Sequence, residues 1–140
     1  MADPKPSVLF VCVHNAGKSQ MAAALMRHKA GDTVEVLSAG TDPGTSLNSQ
    51  AQAAAEELGA SMVGEVPKGI LDEIFLRVDR VIILGNEAKL ASKPGMHGTI
   101  ETWLTPEPGP EAGDKLAQTR IVRDAIARRV DNFYDELTNN

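Results

Sequence analysis

The feature that constrains the fold most is a short apolar segment followed directly by a polar loop and a helix-forming run. Residues 7–11 (Ser-Val-Leu-Phe-Val) are apolar without alternation, which is typical of a strand buried on both faces of a parallel sheet. Residues 20–30 are rich in helix formers and end at Gly31, a plausible helix stop. Residues 34–37 predict a second strand at or near the sheet edge. This order predicts a βαβ unit with a right-handed crossover.

The remainder of the chain continues to alternate between helical and extended patterns. We predict further strands over 81–84 and 99–103, further helices over 48–58, 69–77, 86–91 and 114–137, and a proline-rich loop over 104–113. Residues 60–68 are ambiguous. The alternation predicts an α/β fold with a four-stranded parallel sheet. A length of 140 residues fits one domain over 1–140.

Composition excludes several classes of function. A formal net charge of −5 argues against nonspecific nucleic-acid binding. No apolar run approaches the ~20 residues of a membrane span, and residues 1–6 are not followed by a signal-peptide apolar core, so we expect a cytoplasmic protein with no membrane partner. The one cysteine cannot form an internal disulfide or a multi-cysteine metal site. We expect no metal and no bound cofactor.

The segment from Cys12 to Ser19 carries the strongest chemical signal. Cys12 follows the first strand, where open α/β sheets bind their ligands. The loop N–H groups and the helix N-terminus predict an anion-binding cradle, in which a thiolate is also stabilised. Lys18 adds positive charge, and the Ser19 hydroxyl can reach the thiolate. The predicted oxyanion-binding residues are Val13, His14, Asn15, Ala16, Gly17 and Lys18.

Other interpretations of this loop remain open. Cys12 can instead be an inert, buried strand-end residue. His14 can be a catalytic base, although a loop-ordering role is favoured, and Asn15 suits loop support because Asn tolerates left-handed backbone. Gly17-Lys18-Ser19 also matches the end of a Walker A loop. Nucleotide hydrolysis is disfavoured because no candidate strand is followed by the aspartate that would hold Mg²⁺.

Residues 8–22, which read VLFVCVHNAGKSQMA, resemble the nucleophile loop of arsenate reductases on the low-molecular-weight tyrosine phosphatase fold. The similarity is greatest to actinobacterial, mycothiol-coupled members and extends over essentially the whole chain, including 38–41, 79–85, 103–108 and 120–130. The resemblance implies a three-layer αβα fold with strand order 2-1-3-4. It also implies that Cys12 is the nucleophile and that a late acid precedes a proline, which places the acid at Glu107.

Two residues depart from the family pattern. Lys18 stands where the family has arginine, and Lys offers one point charge in place of a planar two-pronged fork. Losing a positioned donor of this kind can cost on the order of 10²–10³ in rate. Glu107 stands where the family has aspartate, and Glu111 and Asp114 are rival acids nearby.

The resemblance implies reduction of arsenate through a covalent adduct on Cys12. Because the chain has no further cysteine, and Asn86 stands near the place of a relay cysteine, we expect an external thiol to resolve the adduct. The candidates are mycothiol or glutathione, with mycoredoxin, glutaredoxin or thioredoxin as redox partner. Two alternatives remain. One is a phosphatase acting through a cysteinyl-phosphate, and the other is a protein that binds oxyanions without turnover.

Overall fold

Four parallel strands form one sheet at the centre of the molecule. A computed structural model describes residues 5–139, so residues 1–4 of the predicted lead-in lie outside the described part. The strands are Ser7–Cys12 (β1), Glu35–Gly40 (β2), Arg80–Leu84 (β3) and Thr99–Trp103 (β4), in the order β2-β1-β3-β4. All three neighbouring pairs are parallel. The predicted sheet order is confirmed, and β2 lies at an edge as expected.

Helices cover both faces of this sheet. They are Lys18–Ala30 (α1), Ser49–Glu57 (α2), Asp72–Arg77 (α3) and Lys115–Thr138 (α4), with a 3-10 turn over Pro110–Ala112. Val8 and Phe10 of β1 pack with α1, α2 and α4, whereas Leu9 and Val11 pack with Phe75 of α3. Successive side chains of β1 thus enter opposite layers, and the predicted three-layer α/β fold is confirmed. No helix within residues 5–139 is both long and apolar enough to cross a membrane.

One predicted helix is absent and another begins later than predicted. Residues 86–91 form a bend followed by irregular backbone and not a helix, because the chain leaves β3 through Gly85 at a φ of 85°, a left-handed conformation that turns it away from a helical path. The helix predicted over 69–77 begins only at Asp72. The preceding residues stay extended because the Gly40 N–H donates to the Lys68 carbonyl (2.8 Å) and Gly40 pairs with Gly69 in a β-bridge.

Three large aromatic side chains pack against one another in the core. Phe10, Trp103 and Phe133 contact one another with ring centroids 5.5–6.5 Å apart, and Trp103 is 3% exposed. Tyr134 reaches the Thr33 hydroxyl at 3.3 Å. These rings therefore stabilise the packing of α4 on the sheet and are not available to form an open cleft.

An ion pair joins α2 to α4. Glu57 accepts hydrogen bonds from Arg120 and from the nearly buried Arg123, which also donates to the Ala54 carbonyl (3.1 Å). The hydrogen bond from Arg120 lowers the pKa of Glu57 to about 2. This contact fixes α2, whose N-cap residue is Asn48.

The end of β2 approaches the loop after β1 very closely at Gly40. A Cβ atom placed on Gly40 would lie 2.6 Å from the Val13 carbonyl oxygen and 3.0 Å from the Asn15 nitrogen. These are backbone atoms and cannot rotate out of the way. The loop that follows Cys12 can therefore take its observed path only because residue 40 has no side chain.

We predict that Gly40→Ala destabilises the protein by roughly 1–3 kcal/mol, because the added methyl group overpacks a site bounded by backbone. Urea denaturation would measure the change in free energy of unfolding. Gly69→Ala is the matched control, since its Cβ would meet only Pro43 Cγ at an ordinary 3.6 Å. Equal stability of the two variants would contradict the assigned role of Gly40.

Candidate active site

The loop between β1 and α1 is held from outside by the segment that follows β2. The carbonyl oxygens of Val13, His14 and Ala16 accept hydrogen bonds from the backbone N–H groups of Asp42, Gly44 and Asn48, respectively, at 2.8–2.9 Å. Within residues 5–139, the N–H groups of His14, Ala16 and Gly17 donate no hydrogen bond. Unpaired loop N–H groups beside a helix N-terminus are the donors that bind an anion.

Cys12 ends β1 and is half-buried at the base of this loop. The Asn15 N–H donates to its Sγ (3.2 Å), and the Ser19 hydroxyl lies 3.0 Å from the same sulfur. Ser19 Oγ also accepts a hydrogen bond from Asn15 Nδ2 (2.8 Å), so its own hydrogen is free to point at the sulfur. The arrangement directs two donors at the sulfur, as a thiolate requires.

Asn15 is fully buried and is the one non-glycine residue among the described residues with a positive φ, 52°. Its side-chain oxygen accepts hydrogen bonds from Gln20 Nε2 (3.1 Å), the Lys68 N–H (3.1 Å) and Lys68 Nζ (3.3 Å). The structure thus places Asn15 beneath the cradle and not on its surface. Both its backbone and its side chain contribute to the conformation of the loop.

His14 lies at the exposed edge of the loop. Its Nδ1 is 2.9 Å from the Asp42 carbonyl oxygen, which can only accept a hydrogen bond, so Nδ1 carries the proton and donates. The contact ties the loop to the segment after β2. This geometry fits the loop-ordering interpretation of His14 better than the catalytic base.

A cavity of about 470 Å³ opens above Cys12. Its lining contains six of the predicted site residues together with three that the sequence did not indicate: Cys12, Val13, His14, Ala16, Gly17 and Lys18, then Asn48, Leu84 and Glu87. Apart from the His14 imidazole, no aromatic ring among residues 5–139 lines this cavity. The unpaired N–H groups of His14, Ala16 and Gly17 at this cavity are donors that suit a tetrahedral oxyanion.

Lys18 and Glu87 both line this cavity, and both side chains lie close to Gly85 at the end of β3. A Cβ placed on Gly85 would lie 3.2 Å from Lys18 Nζ and 2.8 Å from Glu87 Oε2. Asn86, the position considered for a relay thiol, lines a different depression with Lys89 and Thr102. The Lys18 ammonium and the Glu87 carboxylate therefore both lie close to Gly85 at the edge of the Cys12 cavity.

The predicted acid lies beside the cavity and not within its lining. Glu107 lines an adjacent depression of about 300 Å³, which shares Lys18 and Asn48 with the Cys12 cavity. The two rival acids serve local structure: Glu111 accepts a hydrogen bond from the Gly109 N–H (3.0 Å) and Asp114 caps α4 through the Ala117 N–H (2.9 Å). Glu107 is the loop carboxylate with no such local hydrogen bond in the described part of the chain.

Sequence reasoning missed several residues that support the loop. Gln20, Ser38 and Lys68 contact Asn15 or one another, and Glu87 and Asn48 line the cavity. Ser38 and Gly40 carried one usable signal, because β2 pairs with β1 and its end must lie beside Cys12. Lys68 carried none, since it lies in the stretch without periodicity. Residues 5–139 hold no group of three or more His, Cys, Asp or Glu side chains placed to bind a metal ion.

A cysteine at the carboxyl end of a central parallel strand, beneath a loop of free N–H groups, is the arrangement of cysteine-dependent enzymes that act on tetrahedral oxyanions. The profile of the low molecular weight phosphotyrosine protein phosphatase family matches residues 7–140. The chain belongs to this family.

Several relatives similar to this chain are arsenate reductases. An arsenate reductase from Bacillus licheniformis is 32% identical over 136 residues, covering 94% of this chain and 96% of the relative. A putative arsenate reductase from Halobacterium salinarum is 28% identical over 141 residues, covering 97% of this chain and 96% of the relative. The resemblance inferred from the nucleophile loop is thus confirmed at the level of the family.

Solved structures agree with this fold. A thioredoxin-dependent arsenate reductase from Corynebacterium glutamicum superposes with a TM-score of 0.78 at 32% identity; the match covers 99% of this chain, which spans 65% of that one. An arginine phosphatase from Geobacillus stearothermophilus superposes with a TM-score of 0.76 at 21% identity, covering 96% of this chain and 94% of that one. The second comparison supports the shared fold alone.

Proposed function

We propose that this chain reduces arsenate to arsenite, with Cys12 as the nucleophile. The observation that carries the proposal is the placement of the only cysteine, whose sulfur accepts the Asn15 N–H and contacts the Ser19 hydroxyl at the base of the cavity. The named relatives at 28–32% identity over nearly the whole chain are arsenate reductases, which supports arsenate as the substrate.

The first chemical step is attack of the Cys12 thiolate on arsenic. A sulfur–arsenic bond forms, and one arsenate oxygen leaves as water after it is protonated. Glu107 is the proposed proton donor, because this residue of the proline-rich loop lines the depression that shares Lys18 and Asn48 with the Cys12 cavity. The unpaired N–H groups of His14, Ala16 and Gly17 and the Lys18 ammonium stabilise the oxyanion.

The second step needs a thiol that the chain does not contain. An external thiol attacks the Cys12 sulfur, the electron pair of the sulfur–arsenic bond stays with arsenic, and arsenic(V) becomes arsenic(III). The two thiols are thereby oxidised to a mixed disulfide. We propose mycothiol or glutathione as this thiol and mycoredoxin, glutaredoxin or thioredoxin as the protein that regenerates Cys12. The thioredoxin dependence of the Corynebacterium glutamicum relative supports thioredoxin as one of the candidate redox partners.

A phosphatase on the same site is the second candidate, because the family includes phosphotyrosine phosphatases. Trp103, which precedes the proline-rich loop, is buried in the core. Tyr134, on the last helix, contacts the Thr33 hydroxyl. The described part of the chain therefore offers an aryl phosphate no aromatic ring at this cavity besides His14, and this observation favours an inorganic oxyanion as the substrate.

We predict arsenate-dependent NADPH oxidation in at least one of three reconstituted systems: mycothiol with mycoredoxin, glutathione with glutaredoxin, or thioredoxin with its reductase. Cys12→Ser is expected to abolish the rate, because a serine hydroxyl is not ionised at neutral pH. Turnover of p-nitrophenyl phosphate with no arsenate-dependent oxidation would establish the phosphatase instead. Stabilisation by arsenate in a thermal melt with neither activity would indicate a binding protein.

We predict that Lys18→Arg raises oxyanion affinity and turnover, by up to about 10²-fold, because a planar fork can hold two oxyanion oxygens. Kinetics in the productive thiol system would measure kcat and KM. Lys115→Arg is the control, since Lys115 lines the adjacent depression but not the Cys12 cavity. A fall in kcat/KM for Lys18→Arg would mean that the lysine is a specific adaptation of this site.

A further inference from the structure

We propose that Lys68 is a positioning residue for the nucleophile: its ammonium fixes the Asn15 carboxamide and, through Asn15 and Ser19, orients a hydrogen bond onto the Cys12 sulfur. The inference rests on the proposed role of Cys12 and extends it to a residue outside the loop. No motif in the sequence marks Lys68, and its side chain does not line the Cys12 cavity.

The Lys68 ammonium has a matched set of acceptors. Its Nζ lies 3.3 Å from Asn15 Oδ1, 3.4 Å from Ser38 Oγ and 3.0 Å from the Val66 carbonyl oxygen, so each of the three ammonium hydrogens has an oxygen to bind. Glu65 Oε1 at 3.7 Å supplies a countercharge. Surface lysines normally extend into water, whereas the Lys68 ammonium contacts Asn15 and Ser38, which lie beneath the loop between β1 and α1.

The backbone of Lys68 fixes where its side chain can reach. The Lys68 N–H donates to Asn15 Oδ1 (3.1 Å), and the Lys68 carbonyl accepts from the Gly40 N–H (2.8 Å). Residue 68 is thus held between the cradle loop and the end of β2. The ammonium contact with Asn15 is added to a backbone contact already in place, so removing the side chain should perturb the loop without releasing it.

The hydrogen bonds run in one direction from Lys68 to Cys12. Because Asn15 Oδ1 accepts from the ammonium, as well as from the Lys68 N–H and Gln20 Nε2, Asn15 Nδ2 is directed at Ser19 Oγ (2.8 Å), and Ser19 in turn contacts Cys12 Sγ (3.0 Å). A charged donor strengthens the first link and polarises the next. Partial removal of the ammonium from water lowers the pKa of Lys68, although Glu65 opposes the change. The inward contact therefore carries a desolvation cost that a solvent-directed lysine would avoid.

Alkylation of Cys12 by iodoacetamide at neutral pH tests the proposal without any arsenate turnover. We expect Lys68→Met to slow alkylation about three- to tenfold, because it removes a charged hydrogen bond, while Lys68→Arg stays near the wild-type rate. Lys89→Met is the matched control, since exposed Lys89 donates only to the Asn86 carbonyl. A folded Lys68→Met variant that alkylates at the wild-type rate would overturn the proposal.

A double-mutant cycle tests the route. In a Ser19→Ala background, Lys68→Met should cause little further slowing, because the chain of hydrogen bonds is already broken. An equal slowing in both backgrounds would show that Lys68 acts through space or through general stability, and would contradict the proposed route.

A chemical-rescue experiment tests the proposal even when the Lys68→Met substitution disturbs the fold. Methylammonium should accelerate alkylation of Lys68→Ala, since it can donate to the vacated oxygens, whereas tetramethylammonium, which has no N–H donor, should not. Equal effects of the two salts would contradict the proposal. Because alkylation requires no arsenate, failure of the proposed reductase activity would be recognised separately.

Discussion

The conformation of Asn15 is the constraint on which the site depends. This residue is buried at a positive φ of 52°, and from that position its N–H reaches the Cys12 sulfur while its side chain reaches Ser19. A β-branched or large residue would be strained there. Gly40 makes the same conformation possible from the other side, since any side chain on it would collide with the Asn15 nitrogen and the Val13 oxygen.

The strand order of the sheet determines which segments surround Cys12. β1 lies between β2 and β3, so the end of this strand is flanked by the segments that follow both neighbours. The segment after β2 engages the carbonyls of the cradle loop, which leaves N–H groups to face an anion. The loop after β3 brings Glu87 beside Lys18. In a chain with a net charge of −5, this cavity thus presents unpaired backbone N–H groups and one lysine.

The strands were predictable because each is an uninterrupted apolar or alternating run, and α4 because its apolar residues recur at helical spacing. The strand order was available only through resemblance to a family. The prediction of a helix over 86–91 was wrong because the chain changes direction at Gly85. The left-handed backbone of Gly85 cannot be recognised from sequence periodicity. Lys68 and Glu87 were missed for a physical reason: each meets the site through contacts between segments far apart in sequence, and neither lies in a regular element.

The most direct test of the account is intact-protein mass spectrometry after exposure to arsenate and one low-molecular-weight thiol, without a redoxin. Cys12 should accumulate a mixed disulfide, seen as the added mass of one thiol, only when arsenate is present, because the redoxin that would clear it is missing. Cys12→Ser should show no addition. Absence of the adduct for both mycothiol and glutathione, with arsenite nevertheless produced, would contradict resolution of Cys12 by a borrowed small thiol.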